Sequence, residues 1–289
     1  MNIMKFRPLF FIISLTLILV SVYSIFRWNF KKSIDFSGGS AWQIILPDVS
    51  ENSKIENIFK DANVSLASIT KGDSQVFSLK FENINTDQKN KLDTSFKAID
   101  IDFKELKFET LGPSLGKELL KKTIYAIVLS SLVLAIFIGS RFNDFTFGAS
   151  AVIAMFHDTF ILIGSFSLLG HFFGAELDSL FVTALLTTLS ASVHDTVVIF
   201  DRIRELKRQN SKFNWVDMAN TAVTETINRS VNNSMTVIFM LFALVLLGGE
   251  ATRWFAAALL IGVVCGTYSS TGVAIPLVLF FKKQTSKTQ

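Results

Sequence analysis

Residues 180–200 read LFVTALLTTLSASVHDTVVIF, a mostly apolar run that carries a carboxylate, Asp195, and its neighbour His194 in its second half. A bilayer core needs about 20 apolar helical residues, and this run is long enough to provide them. Water would not tolerate so long an apolar helix in a small soluble domain, so the stretch reads as a membrane span. Placing a carboxylate there costs about 3 kcal/mol on insertion scales, which makes Asp195 a functional-site candidate.

Five other runs have comparable length: Leu9 to Phe26, Thr123 to Gly139, Phe147 to Leu169, Val231 to Leu247 and Trp254 to Phe281. With Leu180 to Phe200 they predict six transmembrane helices. Lys5 and Arg7 precede the first run, as in a secretory signal, but its apolar stretch exceeds a signal core and no A-x-A site follows, so it is read as an uncleaved anchor.

Charge is distributed to match. Of the 52 Lys, Arg, Asp and Glu residues, 29 fall within residues 27–122. The remaining 193 residues hold 23, and mean hydropathy over the chain is +0.44. This excludes a wholly soluble domain and intrinsic disorder. The single cysteine, Cys265, lies in an apolar run, so no disulfide framework or cysteine-based zinc site is expected, and no cofactor is.

Basic residues flanking the short loops set the orientation. Lys5, Arg7, Arg141, the group from Arg202 to Arg229, and Lys282, Lys283 and Lys287 fall on one side; Arg253 faces the other, beside Glu176, Asp178 and Glu250. Both termini are therefore expected in the cytoplasm, with the charged block outside the cytoplasmic membrane. The same asymmetry accounts for much of the net charge of +4, and no nucleic-acid partner is needed to explain it.

The expected domains are residues 1–26 for the N-terminal segment and first span, 27–120 for the external domain, 121–283 for spans two to six, and 284–289 for a cytoplasmic tail. Inside the external block the period turns to alternation. Trp42, Ile44 and Leu46 mark one face of a strand; Ile55, Ile58, Phe59 and Ala62 one face of a helix. Runs 66–70 and 76–81 flank Lys71-Gly72-Asp73-Ser74, a hairpin-turn candidate. Leu92, Phe96 and Ile99 mark a second helix, and Leu106, Phe108 and Thr110 a last strand. The order β-α-β-β-α-β predicts an α+β, ferredoxin-like periplasmic domain between helices one and two.

His157-Asp158-Thr159 in the third span recurs as His194-Asp195-Thr196 in the fourth. Asp158 reads equally as a functional group or as a carboxyl held for packing. Asp195 has the richer setting, because Thr187, Ser190, Ala191 and His194 form a small polar stripe at helical offsets. Before the fifth span, residues 224–234 are too polar for a lipid-facing helix start, and Arg229 shares a face with Asn233 and Thr236. Arg229 reads either as a snorkelling residue or as a partner for Asp195 across helices; a carboxylate alternating between neutral and Arg-paired states is a workable proton switch. A metal centre is disfavoured, since adjacent helical residues point about 100° apart and two His-Asp pairs do not close a site.

Asp35 to Gly39 offers two glycines, Gly38 and Gly39, for a tight turn opening the first strand. Residues 112–117, with Gly112 and Gly116, resemble a phosphate loop superficially but have the wrong spacing, and read as a turn feeding the second span. Gly262 and Gly266, continuing to Ser270, form a helix-packing seam.

The runs IDFSGGS (34–40), GPSLGKEL (112–119), SVHDTVVIFDRIRE (192–205) and TETINRSVNNSMT (224–236) together resemble the SecF family, membrane subunits of the bacterial Sec protein-export machinery in the resistance-nodulation-division superfamily. The resemblance runs from the first span to the last. It implies an auxiliary, non-enzymatic translocase subunit that works with SecD and uses the proton motive force to complete preprotein translocation. The implied partners are SecD, the SecYEG channel, YajC and YidC, the unfolded preprotein and membrane lipid. The family's intramembrane Asp falls on Asp195 and its Arg on Arg229; His194 stands where the family often has Asn. A proton-driven small-molecule or lipid exporter of the same superfamily is the alternative, though such exporters have about twelve spans and two external domains.

Overall fold

The computed structural model describes residues 2–47, 52–72, 75–100, 102–142, 144–209 and 214–285. Among the described residues six helices are long and apolar enough to cross a membrane. They are α1 Arg7–Trp28, α5 Pro113–Arg141, α6 Phe145–Phe173, α7 Ser179–Gln209, α8 Trp215–Leu247, and α9 Glu250–Ser269 continued through a π-helical turn Ser270–Ala274 into α10 Ile275–Thr285. Between α1 and α5 come a one-turn helix α2 Ile34–Ser37, then β1 Gly39–Ile45, α3 Asn52–Asp61, β2 Leu66–Lys71, β3 Val76–Phe81, α4 Thr86–Ile99 and β4 Lys104–Leu111. The chain divides into two compact units, residues 32–124 and the remainder.

In the unit of residues 32–124 the four strands form one antiparallel sheet in the order β2-β3-β1-β4. Trp42, Ile44 and Leu46 are fully buried together with Phe59, Phe77, Leu79, Leu92 and Phe96. An Asn85–Gln88 capping box starts α4. The last strand departs from simple alternation: the register of β1 with β4 shifts between Gln43 and Ile44, so Gln43 faces Lys107 and Ile44 faces Glu105. Leu106 is the extra residue of this bulge and is exposed. Beyond it Glu105 turns to the side of Trp42, accepting from Trp42 Nε1 at 2.9 Å and pairing with Lys89 at 2.7 Å. Ile99, expected on the buried face of α4, is also exposed. Asp73 and Ser74 of the hairpin-turn candidate lie outside the described residues.

Two glycine-containing segments read separately in the sequence meet here. Gly38 has φ +74°, and a β-carbon on it would lie 2.6 Å from Pro113 Cα; a β-carbon on Gly116 would lie 2.8 Å from Gly38 N. Residues 113–117 are not a turn but the first turns of α5, which begins ten residues before the expected Thr123. Pro113 is tolerated at a helix start because the first N–H groups have no intrahelical acceptor to lose.

In the helical unit, α1 exposes most of its apolar side chains and buries Ser14, Ser21 and Ser24. Ser21 and Ser24 face α6: Ser24 Oγ donates to the Gly164 carbonyl at 3.2 Å, and a β-carbon on Gly164 would lie 2.2 Å from Ser21 Cβ, while Ser14 Oγ lies 3.0 Å from the Tyr268 hydroxyl of α9. Small side chains let the helices approach where lipid supplies no hydrophobic drive between them. Helix α6 starts on an Asp144 cap and ends at Gly174 in the left-handed conformation, φ +78°. Helix α8 begins at Trp215, well before Val231, so the polar run 224–234 lies inside a continuous helix.

Candidate functional site

The seam on α9 faces α7. A β-carbon on Gly266 would lie 3.2 Å from Ser192 Cα, and one on Gly262 would lie 2.1 Å from Thr188 Cγ2. Beside this contact, between α7, α8 and α9, opens a cleft of about 700 Å³. Thr187, Ser190, Ala191, His194 and Asp195 line one wall, Asn233 and Ser234 a second, and Gly262, Gly266 and Thr267 a third. The polar stripe of α7 thus turns away from the core and into this cleft. Ser234 and Thr267 join hydroxyls at 2.7 Å across its floor.

Asp195 is half-buried, His194 is exposed, and neither has a side-chain hydrogen bond or ion pair among the described residues. Arg229 is exposed and forms no ion pair with Asp195. Arg202 of α7 pairs with Glu225 of α8 at 2.5 Å, and Asp195 shares the cleft with Asn233, so the two helices run antiparallel. Asp195 is then level with Asn232 and Asn233, and Arg229 lies roughly 4.5 Å further along the axis at 1.5 Å per residue. That separation is within an arginine's reach, and the described residues lining the cleft do not include Arg229.

The echoing carboxylate is handled differently. Asp158 is 6% exposed and fully bonded: Oδ1 lies 2.9 Å from His157 Nδ1, while Oδ2 accepts from Ser192 Oγ at 2.6 Å and Ser269 Oγ at 2.5 Å. The two His-Asp-Thr copies are therefore unequal, one lining a cleft and one locked in the core. Ser192 and Ser269 were not singled out in the sequence. Ser192 lies one turn before Asp195, and Ser269 lies one residue before Ser270 of the glycine seam, so only the crossing of α6, α7 and α9 reveals their shared partner.

Among the described residues no group of three or more His, Cys, Asp or Glu side chains is placed to hold a metal ion. At the end of the bundle near the last residues of α5, Asp144 accepts from Lys282, whose ammonium also lies 5.0 Å from the Trp215 ring. Burial pushes the Asp144 carboxyl up, but hydrogen bonds from Lys282 and Thr146 prevail and hold it below the usual carboxylate range.

Residues 91–284 match the family model described as protein export membrane protein SecD/SecF, C-terminal. A protein translocase subunit SecF from Thermobaculum terrenum is 38% identical, over 93% of this chain and 90% of its own length. Another from Anaerolinea thermophila is 34% identical, over 98% and 94%. The crystal structure of SecDF, a translocon-associated membrane protein from Thermus thermophilus, superposes with a TM-score of 0.86 at 29% identity. It covers 98% of this chain, which spans 39% of that longer protein. By these matches in sequence and in fold, the chain belongs to the SecF family of protein translocase subunits.

Proposed function

We propose that the chain assists protein export as a proton-motive-force-coupled subunit paired with SecD, completing translocation of unfolded preproteins across the cytoplasmic membrane at the SecYEG channel, with YajC and YidC as further partners. The SecDF likeness supports SecD as the partner, since the matched protein joins both names in one chain of which this one covers 39%. The unit of residues 32–124 is read as a ferredoxin-like domain in the periplasm; its β-α-β-β-α-β order, with β3 inserted between β1 and β2, supports this. Both termini are read as cytoplasmic, a reading that the basic short loops support.

The observation that carries the reading is the carboxylate of Asp195 on the wall of a polar cleft within a membrane helix bundle. A carboxyl there is stable neutral or paired, and the cation nearest in level is Arg229. In this proposal Asp195 takes a proton on entry from one side, and its loss lets Arg229 swing in and α7 shift against α8. Asp195→Asn mimics the neutral state. It should assemble with SecD at normal abundance yet fail to support gradient-driven export, while Arg229→Lys, which keeps charge but loses the planar fork, should be intermediate. Wild-type export rates in Asp195→Asn with the gradient intact would exclude the mechanism.

A further inference from the structure

The His157–Asp158 pair is chemically incomplete in an informative way. Asp158 collects three contacts, but His157 Nε2 is buried without a hydrogen-bond partner among the described residues, at 7% exposure for the residue. A carboxylate accepting from two hydroxyls leaves Nδ1 of His157 as the donor on Oδ1. If the imidazole is neutral, the pair carries a net negative charge in an apolar interior. If the imidazole is protonated, the pair is neutral but a cationic N–H is left unbonded, which costs more than an idle lone pair. The remaining way to reach zero charge is a proton on the carboxyl itself, with His157 neutral.

We propose that Asp158 is a second proton-binding station, loaded from the Asp195 cleft through the hydroxyl of Ser192. Ser192 is placed for this because it donates to Asp158 Oδ2 and also lines the cleft. The transfer balances: a cleft water carrying an extra proton gives one to Ser192 Oγ as Ser192 passes its own to Oδ2. The new carboxyl O–H then donates back to Ser192 Oγ, whose own proton points to the cleft water. Loading thus reverses the α6–α7 hydrogen bond without breaking it, and leaves Ser269 of α9 still bonded to the same oxygen.

The other titratable groups on packed elements are few. Cys265 and Tyr268 lie on α9, where the Tyr268 hydroxyl donates to the Phe10 carbonyl at 2.7 Å and lies 3.0 Å from Ser14 Oγ of α1. Helix α7 adds Asp195 and His194 one turn on, and the π-helical turn offers Ser270, which is not titratable in this range.

The purpose of this station rests on the export reading, but its test does not. The full chain in lipid nanodiscs should show an infrared carboxylic-acid band at low pH that Asp158→Asn removes and Asp195→Asn retains. Ser192→Ala should shift that band, and should slow its exchange with deuterium oxide by about 100-fold, the lower end of what a positioned proton-transfer group contributes. Nitrogen-15 histidine spectra of the unsubstituted chain should show His157 as the neutral Nδ1–H tautomer. An imidazolium at His157 between pH 5 and 9, no band dependent on Asp158, or unchanged exchange in Ser192→Ala would each overturn the proposal. If Asp195→Asn abolishes export while the Asp158 band is absent, the station fails and the export mechanism stands.

Discussion

Gly262 of α9 lies so close to Thr188 of α7 that a β-carbon on it would sit 2.1 Å from Thr188 Cγ2 and 2.5 Å from Thr188 Cβ. The contact lies beside the Asp195 cleft, which Gly262 lines, and neither atom of Thr188 is the far end of a flexible chain. Gly262→Ala is therefore expected to separate α7 from α9 and to destabilise the bundle by roughly 1–3 kcal/mol, the usual cost of overpacking. Pairing it with Thr188→Gly should restore much of the loss. Thermal melting of the detergent-solubilised chain checks both, and an unchanged midpoint in Gly262→Ala would contradict the packing.

The unit of residues 32–124 should fold alone, because both helices and the sheet share a buried aromatic core. A fragment ending at Gly112 should melt at lower temperature than one ending at Ile124, since it lacks the Pro113 and Gly116 backbone against Gly38 and Phe36. Gly38→Ala should cost the longer fragment about 1–3 kcal/mol, because φ +74° and a 2.6 Å approach to Pro113 Cα both oppose a side chain. Circular dichroism melts decide it; equal stability of the two fragments would show the α5 start to be dispensable.

Asp144 caps α6 and pairs with Lys282, and its carboxyl is held below the usual range. A carboxylate with a depressed folded-state value contributes stability that is present above the unfolded value, near 3.9, and is lost as pH falls through the folded one. Asp144→Asn should therefore melt below the parent at pH 7 and converge with it at acid pH. Asp144→Ala should lose the cap as well, about 1 kcal/mol more, at every pH.

The basic end of α7 should face the cytoplasm, as Arg202, Arg204, Lys207 and Arg208 precede a short connection to α8. Lys212, which belongs to the same group, lies outside the described residues. A cysteine at the exposed Gln209, in a Cys265→Ser background, should resist an impermeant thiol reagent applied to intact cells and react after lysis. Labelling from outside would invert the topology.

The sequence alone settled the number of apolar spans and most of the buried faces, though not where α5 and α8 begin or that Ile99 is exposed. Six apolar runs of bilayer length became six helices, because a backbone in lipid must satisfy its polar groups internally. Trp42, Ile44 and Leu46 fell on the buried face because a strand alternates with period two. Leu106 escaped that rule because a bulge is a matter of register with β1, which β4 does not encode by itself. Asp195 was legible as a candidate, since a charge in an apolar run is costly wherever the helix packs. What only tertiary structure decided was the difference between the two His-Asp-Thr copies. Identical triplets acquire opposite surroundings because helix crossings, not local sequence, bring Ser192 and Ser269 to Asp158 and leave Asp195 facing an open cleft.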